Sequence, residues 1–263
     1  MMGSLAILVS SYDAYSDLWP PYFAAFQRNW PDCPYPVYLL SNYKTFPDPA
    51  VKSIRVGSVK AWPESIRLAL NQIPEDFVLL LLEDLFIVSR MDTKRFEQLN
   101  TWIAEQRPAC IRLQPDRGMV PTRFPGICML PPGTPYRSST VISLWRKDVL
   151  LDVLRPGESI WEFEVVGSQR TDKYPDFYVT EQSYVRYIHG VIRGKWVPRA
   201  QKQLIAAGYP VQKQARPVFA LSDRIVQWAR VLRSRALEKI PIWYQRRIRL
   251  RFSTTTRSAG GQK

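Results

Sequence analysis

The chain has a single histidine, His189, among 263 residues. A zinc site built from several histidines is therefore excluded, and a Ser-His-Asp triad would have only one possible centre. Cysteine is nearly as scarce: Cys33, Cys110 and Cys128 are odd in number and show no CxxC spacing. They offer no disulfide framework and suggest a reducing compartment. No apolar run approaches the roughly 18 residues needed to span a bilayer. The opening Met1–Ser10 has no basic segment before its short apolar run, so it reads as a first strand and not as a signal peptide. Internal repeats are also lacking.

What is present is a composition suited to a packed core, with 46% hydrophobic and 13% aromatic residues. The net charge of +14 is unevenly spread. Residues 221–263 hold eleven basic side chains against two acidic ones, a balance of +9, which leaves +5 for residues 1–220. Such a tail calls for an anionic partner, either phospholipid or nucleic acid. Within it Leu221, Ile225, Trp228, Val231 and Leu232 recur at helical spacing, while Arg224, Arg230, Arg233 and Arg235 fall largely elsewhere on the wheel. A basic amphipathic helix with Trp on its apolar side suits a membrane surface. The alternative is a helix docked on the core with solvated arginines.

The N-terminal half alternates strand and helix patterns. Strands are expected at Leu5–Ser10, Val37–Leu40 and Ser53–Val56, and helices between Tyr15 and Trp30, over Pro63–Ile73 and over Asp92–Gln106. This βαβ succession predicts a mostly parallel sheet covered on both faces. Residues 114–137 are broken by six prolines and read as an extended loop or a short-strand region. Beyond them a strand is expected at Val141–Trp145, a helix over Lys147–Leu154, another from Ser159, a last strand at Tyr184–Ile188 and a short helix over 198–208.

The most informative stretch is residues 76–88, an apolar run interrupted by Glu83-Asp84. The run reads as a strand buried on both faces. Two adjacent carboxylates there are costly unless paired, hydrogen-bonded or bound to a cation. In open α/β sheets the carboxyl ends of central strands are where ligands sit. The pair therefore suggests a site for a divalent metal and the phosphates it carries; the alternative is two strand-end acids capping a helix or pairing with an arginine.

Several motifs then fall in one order. Ser10-Ser11-Tyr12-Asp13 ends the first strand and precedes Tyr15 to Trp19 and Pro20-Pro21. Val37-Tyr38-Leu39-Leu40-Ser41-Asn42 and the acidic Glu83-Asp84 follow. Last come Ser143-Leu144-Trp145-Arg146-Lys147-Asp148 and Glu158-Ser159-Ile160-Trp161-Glu162-Phe163-Glu164. Across roughly residues 5–200 this order resembles bacterial nucleotide-sugar glycosyltransferases of the GT-A fold, of the kind that build lipopolysaccharide or capsule. The resemblance implies an α/β, Rossmann-related GT-A-like domain over residues 1–220, with 221–263 as a basic amphipathic helical tail.

It also implies roles. The acidic pair resembles the Asp-x-Asp signature that holds Mn²⁺ or Mg²⁺ against the donor diphosphate, although here the acids are adjacent and along a strand would face opposite ways. Asp84 is the expected ligand, with Glu83 acting through water or pairing with a basic residue. Glu164 or Glu162 is the expected general base, and Trp161 the acceptor platform. Ser159 three residues before Glu162 also fits a capping box, which gives Glu162 a structural alternative. His189-Gly190-Val191-Ile192-Arg193-Gly194-Lys195-Trp196 is similar to a phosphate-binding element of glycogenin-like transferases. It offers Arg193 and Lys195 to the diphosphate and His189 to the metal, or leaves His189 as a hydrogen-bonded turn residue. At the end of the first strand Ser10, Tyr12 and Asp13, together with Trp62 and Arg67, are the expected contacts to the donor.

The implied activity is transfer of a sugar from a nucleotide donor to a glycan or glycolipid hydroxyl. The expected place is the cytoplasmic face of the membrane, with the tail on anionic lipid. A nucleic-acid-binding α/β protein is the rival from another class, but the basic excess is confined to the tail and no nucleic-acid signature accompanies it. A catalytically inactive, membrane-associated relative is the third reading.

Overall fold

The computed structural model describes residues 4–59, 61–220 and Asp223. The tail reading over 221–263 lies outside these residues, Asp223 excepted. β1 (Leu5–Ser10), α1 (Trp19–Asn29), β2 (Val37–Ser41), β3 (Val51–Arg55), α2 (Trp62–Leu70), β4 (Phe77–Leu82), β5 (Leu85–Ile87) and α3 (Thr93–Gln106) form the N-terminal half. The middle holds β6 (Cys110–Arg112), β7 (Val120–Pro121), β8 (Ile127–Met129), β9 (Ser143–Arg146), α4 (Lys147–Val153), α5 (Ile160–Val165) and α6 (Gly167–Arg170). β10 (Phe177–Thr180), β11 (Tyr187–His189), β12 (Val191–Ile192), β13 (Lys195–Trp196) and α7 (Pro198–Ala206) complete it.

Nine strands make the main sheet in the order β3-β2-β1-β4-β9-β6-β10-β8-β7. β1, β2, β3 and β4 pair in parallel, as do β6 and β10. β9 enters between β4 and β6 antiparallel to both, and β8 runs against β10 and β7. The result is a mixed α/β domain with a mostly parallel central sheet flanked by helices.

The period-2 alternation of a strand divides its side chains between two cores. Leu5, Ile7, Val9, Phe77, Leu79 and Leu81 join Tyr22, Phe23 and Phe26 of α1 and Phe96, Leu99 and Ile103 of α3. Ala6, Leu8, Val78 and Leu80 join Ile66, Ala69 and Leu70 of α2, Val149, Leu150 and Val153 of α4, and Phe163 of α5. Burial on both faces explains why β1 and β4 read as unbroken apolar runs.

Two expectations need correction. The stretch 76–88 is two strands: β4 stops at Leu82, Glu83-Asp84 forms a turn, and β5 leaves the main sheet to pair antiparallel with β11. The last strand, expected at Tyr184–Ile188, is this β11 at Tyr187–His189, and β12 and β13 follow it. Residues 114–137 hold short strands as one of the two readings expected: β7 and β8 lie there and extend the sheet edge. All three cysteines are free, consistent with the absence of a disulfide framework.

The turn that carries Asp84 is braced by Gly190. Its amide donates to the Asp84 carbonyl at 2.8 Å, and a Cβ at Gly190 would lie 2.3 Å from the Phe86 ring. Gly190→Ala is therefore expected to destabilise the protein by about 1–3 kcal/mol, the usual cost of overpacking. Urea unfolding measures this; unchanged stability would mean that residue 190 does not press on Phe86.

Candidate active site

Parallel pairing in the register Ser10↔Leu82 brings the ends of β1 and β4 side by side. Ser10, Ser11 and the turn Glu83-Asp84 thus meet at the carboxyl edge of the sheet. Each serine hydroxyl is held by an indole: Trp62 Nε1 donates to Ser10 Oγ at 3.0 Å, and Trp19 Nε1 to Ser11 Oγ at 2.8 Å. Ser11 in turn hydrogen-bonds Glu83.

Glu83 is only 7% exposed. Burial, reinforced by the charge of Asp84, pushes its pKa up to about 8. Burial raises Asp84 to about 6. Asp84 Oδ1 is buried without a hydrogen-bond partner, and so is the Tyr22 hydroxyl, whose ionisation both acids oppose. The compensating charge comes from Arg216, whose field lowers both acids. Arg216 itself is fixed by Asp17 at 2.8 and 2.7 Å, by the Ala14 carbonyl at 2.5 Å and by the Tyr15 ring at 3.8 Å. Nothing in local sequence marks Arg216, Ser11 or Tyr22; their roles come from long-range folding.

Two strands across, at the same edge, lies a second charged group. Arg112 ends β6 opposite Ser143 of β9, which also pairs with Leu80 of β4. Adjacent strands lie about 4.8 Å apart, so the ends of β4 and β6 are separated by roughly 10 Å. Arg112 is buried, forms an ion pair with Asp116 and donates to the Tyr136 carbonyl at 2.5 Å. It also interacts electrostatically with Glu164 on α5. Glu164 Oε1 accepts from the Thr140 amide at 2.8 Å and from its hydroxyl at 2.7 Å. Tyr187 on β11 lies near Arg112: its hydroxyl donates to Gln114 Oε1 at 3.3 Å, and its ring meets that of His189 at 5.5 Å.

The other expected site residues are placed as follows. Glu162 closes the capping box of α5 with Ser159, accepting from its amide at 2.8 Å. Trp161 is exposed on the first turn of the same helix, and Phe163 behind it touches the Trp62 ring at 5.1 Å. Tyr12 is exposed at the end of β1. The Asp13 carboxylate instead caps the loop after β2, accepting from the amides of Asn42 at 3.0 Å, Tyr43 at 3.1 Å and Lys44 at 3.3 Å. Arg67 points to the α4 side, donating to the carbonyls of Leu151 at 2.9 Å and Leu154 at 3.3 Å. Arg193 and Gly194 form the positive-φ turn of the β12–β13 hairpin, and a Cβ on Gly194 would lie 3.9 Å from the Tyr15 hydroxyl. Lys195 bonds Asp223 at 2.8 Å.

Glu83, Asp84 and His189 do not converge as three metal ligands. Asp84 is largely buried while His189 is exposed, and among the described residues no group of three or more His, Cys, Asp or Glu could hold a metal. What remains suited to a cation is Asp84, with a buried, unpartnered oxygen. The turn also removes the strand alternation that would force the two acids apart.

No protein-family model and no curated protein matches the chain. Among solved structures it is similar to S. aureus TarS 1-349, at 15% identity and a TM-score of 0.45, covering 69% of this chain and 59% of that one. The same TarS segment in complex with UDP-GlcNAc gives 12% identity, 81% and 68% coverage and a TM-score of 0.47. A CMP:2-keto-3-deoxy-manno-octonic acid synthetase complexed with CTP gives 13% identity, 78% and 98% coverage and a TM-score of 0.44. The chain spans only 41% of a longer TarS structure. At these values the likeness decides nothing about function. No described helix is long and apolar enough to cross a membrane.

Proposed function

We propose that this protein is a nucleotide-sugar glycosyltransferase that acts on a hydroxyl of a glycan or glycolipid. The observation that carries the reading is a pair of carboxylate groups on one sheet edge with opposite environments. Asp84 Oδ1 is buried without a hydrogen-bond partner, whereas Glu164 Oε1 is held by the Thr140 amide and hydroxyl. Carboxylates with divergent environments at one sheet edge are suited to divided chemical roles.

In this reading Asp84, with Glu83 behind it, faces the diphosphate end of the donor. A divalent cation bound there would have Asp84 as its protein ligand and would neutralise charge on the departing nucleoside diphosphate. Arg216 holds the field of the acid pair, and the Arg193–Lys195 turn offers cations to phosphate. Glu164 acts as the base. It takes the proton of the acceptor hydroxyl, whose oxygen bonds to the anomeric carbon. The bond from that carbon to the phosphate oxygen breaks, and its electron pair leaves with the nucleoside diphosphate. A single displacement, with the hydroxyl attacking opposite the departing phosphate, makes the transfer inverting. Tyr12 offers an exposed ring to a nucleobase, and Trp161 one to the acceptor sugar.

Thermal shift and hydrolysis with a panel of UDP-, GDP- and CMP-sugars, with Mn²⁺ or with chelator, test the proposal. One nucleotide class should stabilise the protein and turn over. A response to oligonucleotides alone would overturn it.

A further inference from the structure

We propose that Thr140 is the positioning residue of the Glu164 base, an inference that rests on the reading of Glu164 given above. The pair is held unusually firmly for groups 24 residues apart in sequence. Thr140 is 1% exposed and spends both its donors, amide and hydroxyl, on the single oxygen Oε1. Ser139 Oγ adds a longer contact to the same oxygen at 3.5 Å. Oε2 makes no hydrogen bond among the described residues, so one carboxylate oxygen is anchored and the other is left to take a proton.

The segment that carries Thr140 is itself built as a rigid frame. Ser138 N donates to Ser168 Oγ at 3.1 Å, and Ser138 Oγ donates to the Phe163 carbonyl at 2.7 Å. The frame is thereby tied to the backbone of the same helix that bears Glu164. A Cβ on Gly167 would lie 3.2 Å from Ser138 Oγ, which shows how closely α6 approaches the frame. On the other side Ile142, with φ of 44°, turns the chain into β9, and its carbonyl accepts from the Leu113 amide at 3.1 Å. Buried Arg112 supplies the neighbouring positive charge, with Asp116 as its ion-pair partner and Tyr187 beside it. Such preorganisation places the base before the substrate arrives and avoids reorganisation during transfer.

Threonine is suited to the position because its hydroxyl and amide converge on one acceptor. Valine keeps the amide and the shape but loses the hydroxyl bond to a carboxylate, one of the stronger kinds.

The experiment compares wild type, Thr140→Val, Thr140→Ala, Thr140→Ser and Glu164→Gln, using the nucleotide sugar that turns over in the panel. Thr140→Val is expected to lower kcat about 10-fold with donor KM changed less than about twofold. Thr140→Ala should show the same split, so that a packing fault in one variant does not imitate the effect, and Thr140→Ser should recover kcat. Thr140→Val and Thr140→Ala with wild-type kcat, while Glu164→Gln is inactive, would overturn the positioning role and leave the base in place. An active Glu164→Gln would overturn the underlying assignment and the positioning role with it.

Discussion

Asp84→Asn should abolish sugar transfer, lowering turnover by about 10²-fold or more, while the protein remains folded. The substitution removes a charge at constant shape from a buried turn where Oδ1 has no protein partner. Glu83→Gln should cost less, because Ser11 already satisfies Glu83 and its burial keeps it protonated up to about pH 8. The same two acids give the chelator-treated protein a pH-dependent stability of definite sign. Glu83 has a folded value of about 8 against an ordinary 4.5, and Asp84 about 6 against 3.8. Between the ordinary and raised values the folded state keeps protons that the unfolded chain has lost. Stability is then greatest below about pH 4 to 4.5 in this contribution, and falls as pH rises through 6 and 8. Glu83→Gln should flatten most of that fall in a thermal-denaturation series without metal. A cation competes with these protons, so Mn²⁺ should raise Tm more at pH 8 than at pH 5. Near-normal turnover of Asp84→Asn would remove the acid pair from the chemistry.

The parts of the fold legible in sequence are those whose side-chain period matches their burial. α3 shows its N-cap, with the Asp92 carboxylate accepting from Arg95 N at 3.0 Å, and its apolar Phe96, Leu99 and Ile103 stripe. α5 announces itself through the Ser159–Glu162 capping box. β1 and β4 appear as apolar runs because both faces are covered. The hidden elements are short: β6, β8 and β10 have three or four residues each, too few for a period. The break at Glu83-Asp84 was visible as chemistry but not as geometry, since the departure of β5 depends on pairing with β11, about a hundred residues on. The same distinction holds in the candidate site. Glu83, Asp84 and Glu164 stand out as acids in apolar or capped surroundings, which a sequence displays. Arg112, Arg216 and Thr140 stand out only through partners far along the chain, which it does not. Asp13 and Arg67 illustrate the converse: their side chains fall at strand and helix ends, as donor contacts would, yet their hydrogen bonds go to the loop after β2 and to the end of α4.

Glu164→Gln should lower kcat by about 10² to 10⁴-fold, the usual worth of general base catalysis, with donor binding nearly unchanged. The amide preserves size and leaves Oε1 able to accept from the Thr140 amide and hydroxyl, so the frame around α5 survives. What disappears is the capacity of the second oxygen to take a proton. Glu162→Gln provides the comparison two residues away on the same helix. Its carboxylate accepts from the Ser159 amide at 2.8 Å and hydroxyl at 2.9 Å, and glutamine can still serve a capping box. Glu162→Gln should therefore cost well under 1 kcal/mol in stability and little in turnover. Steady-state kinetics and donor titration of both variants separate the two roles. A collapse of kcat in Glu162→Gln with Glu164→Gln active would transfer the base to Glu162, and would make the Thr140–Glu164 pair a strut between β9 and α5.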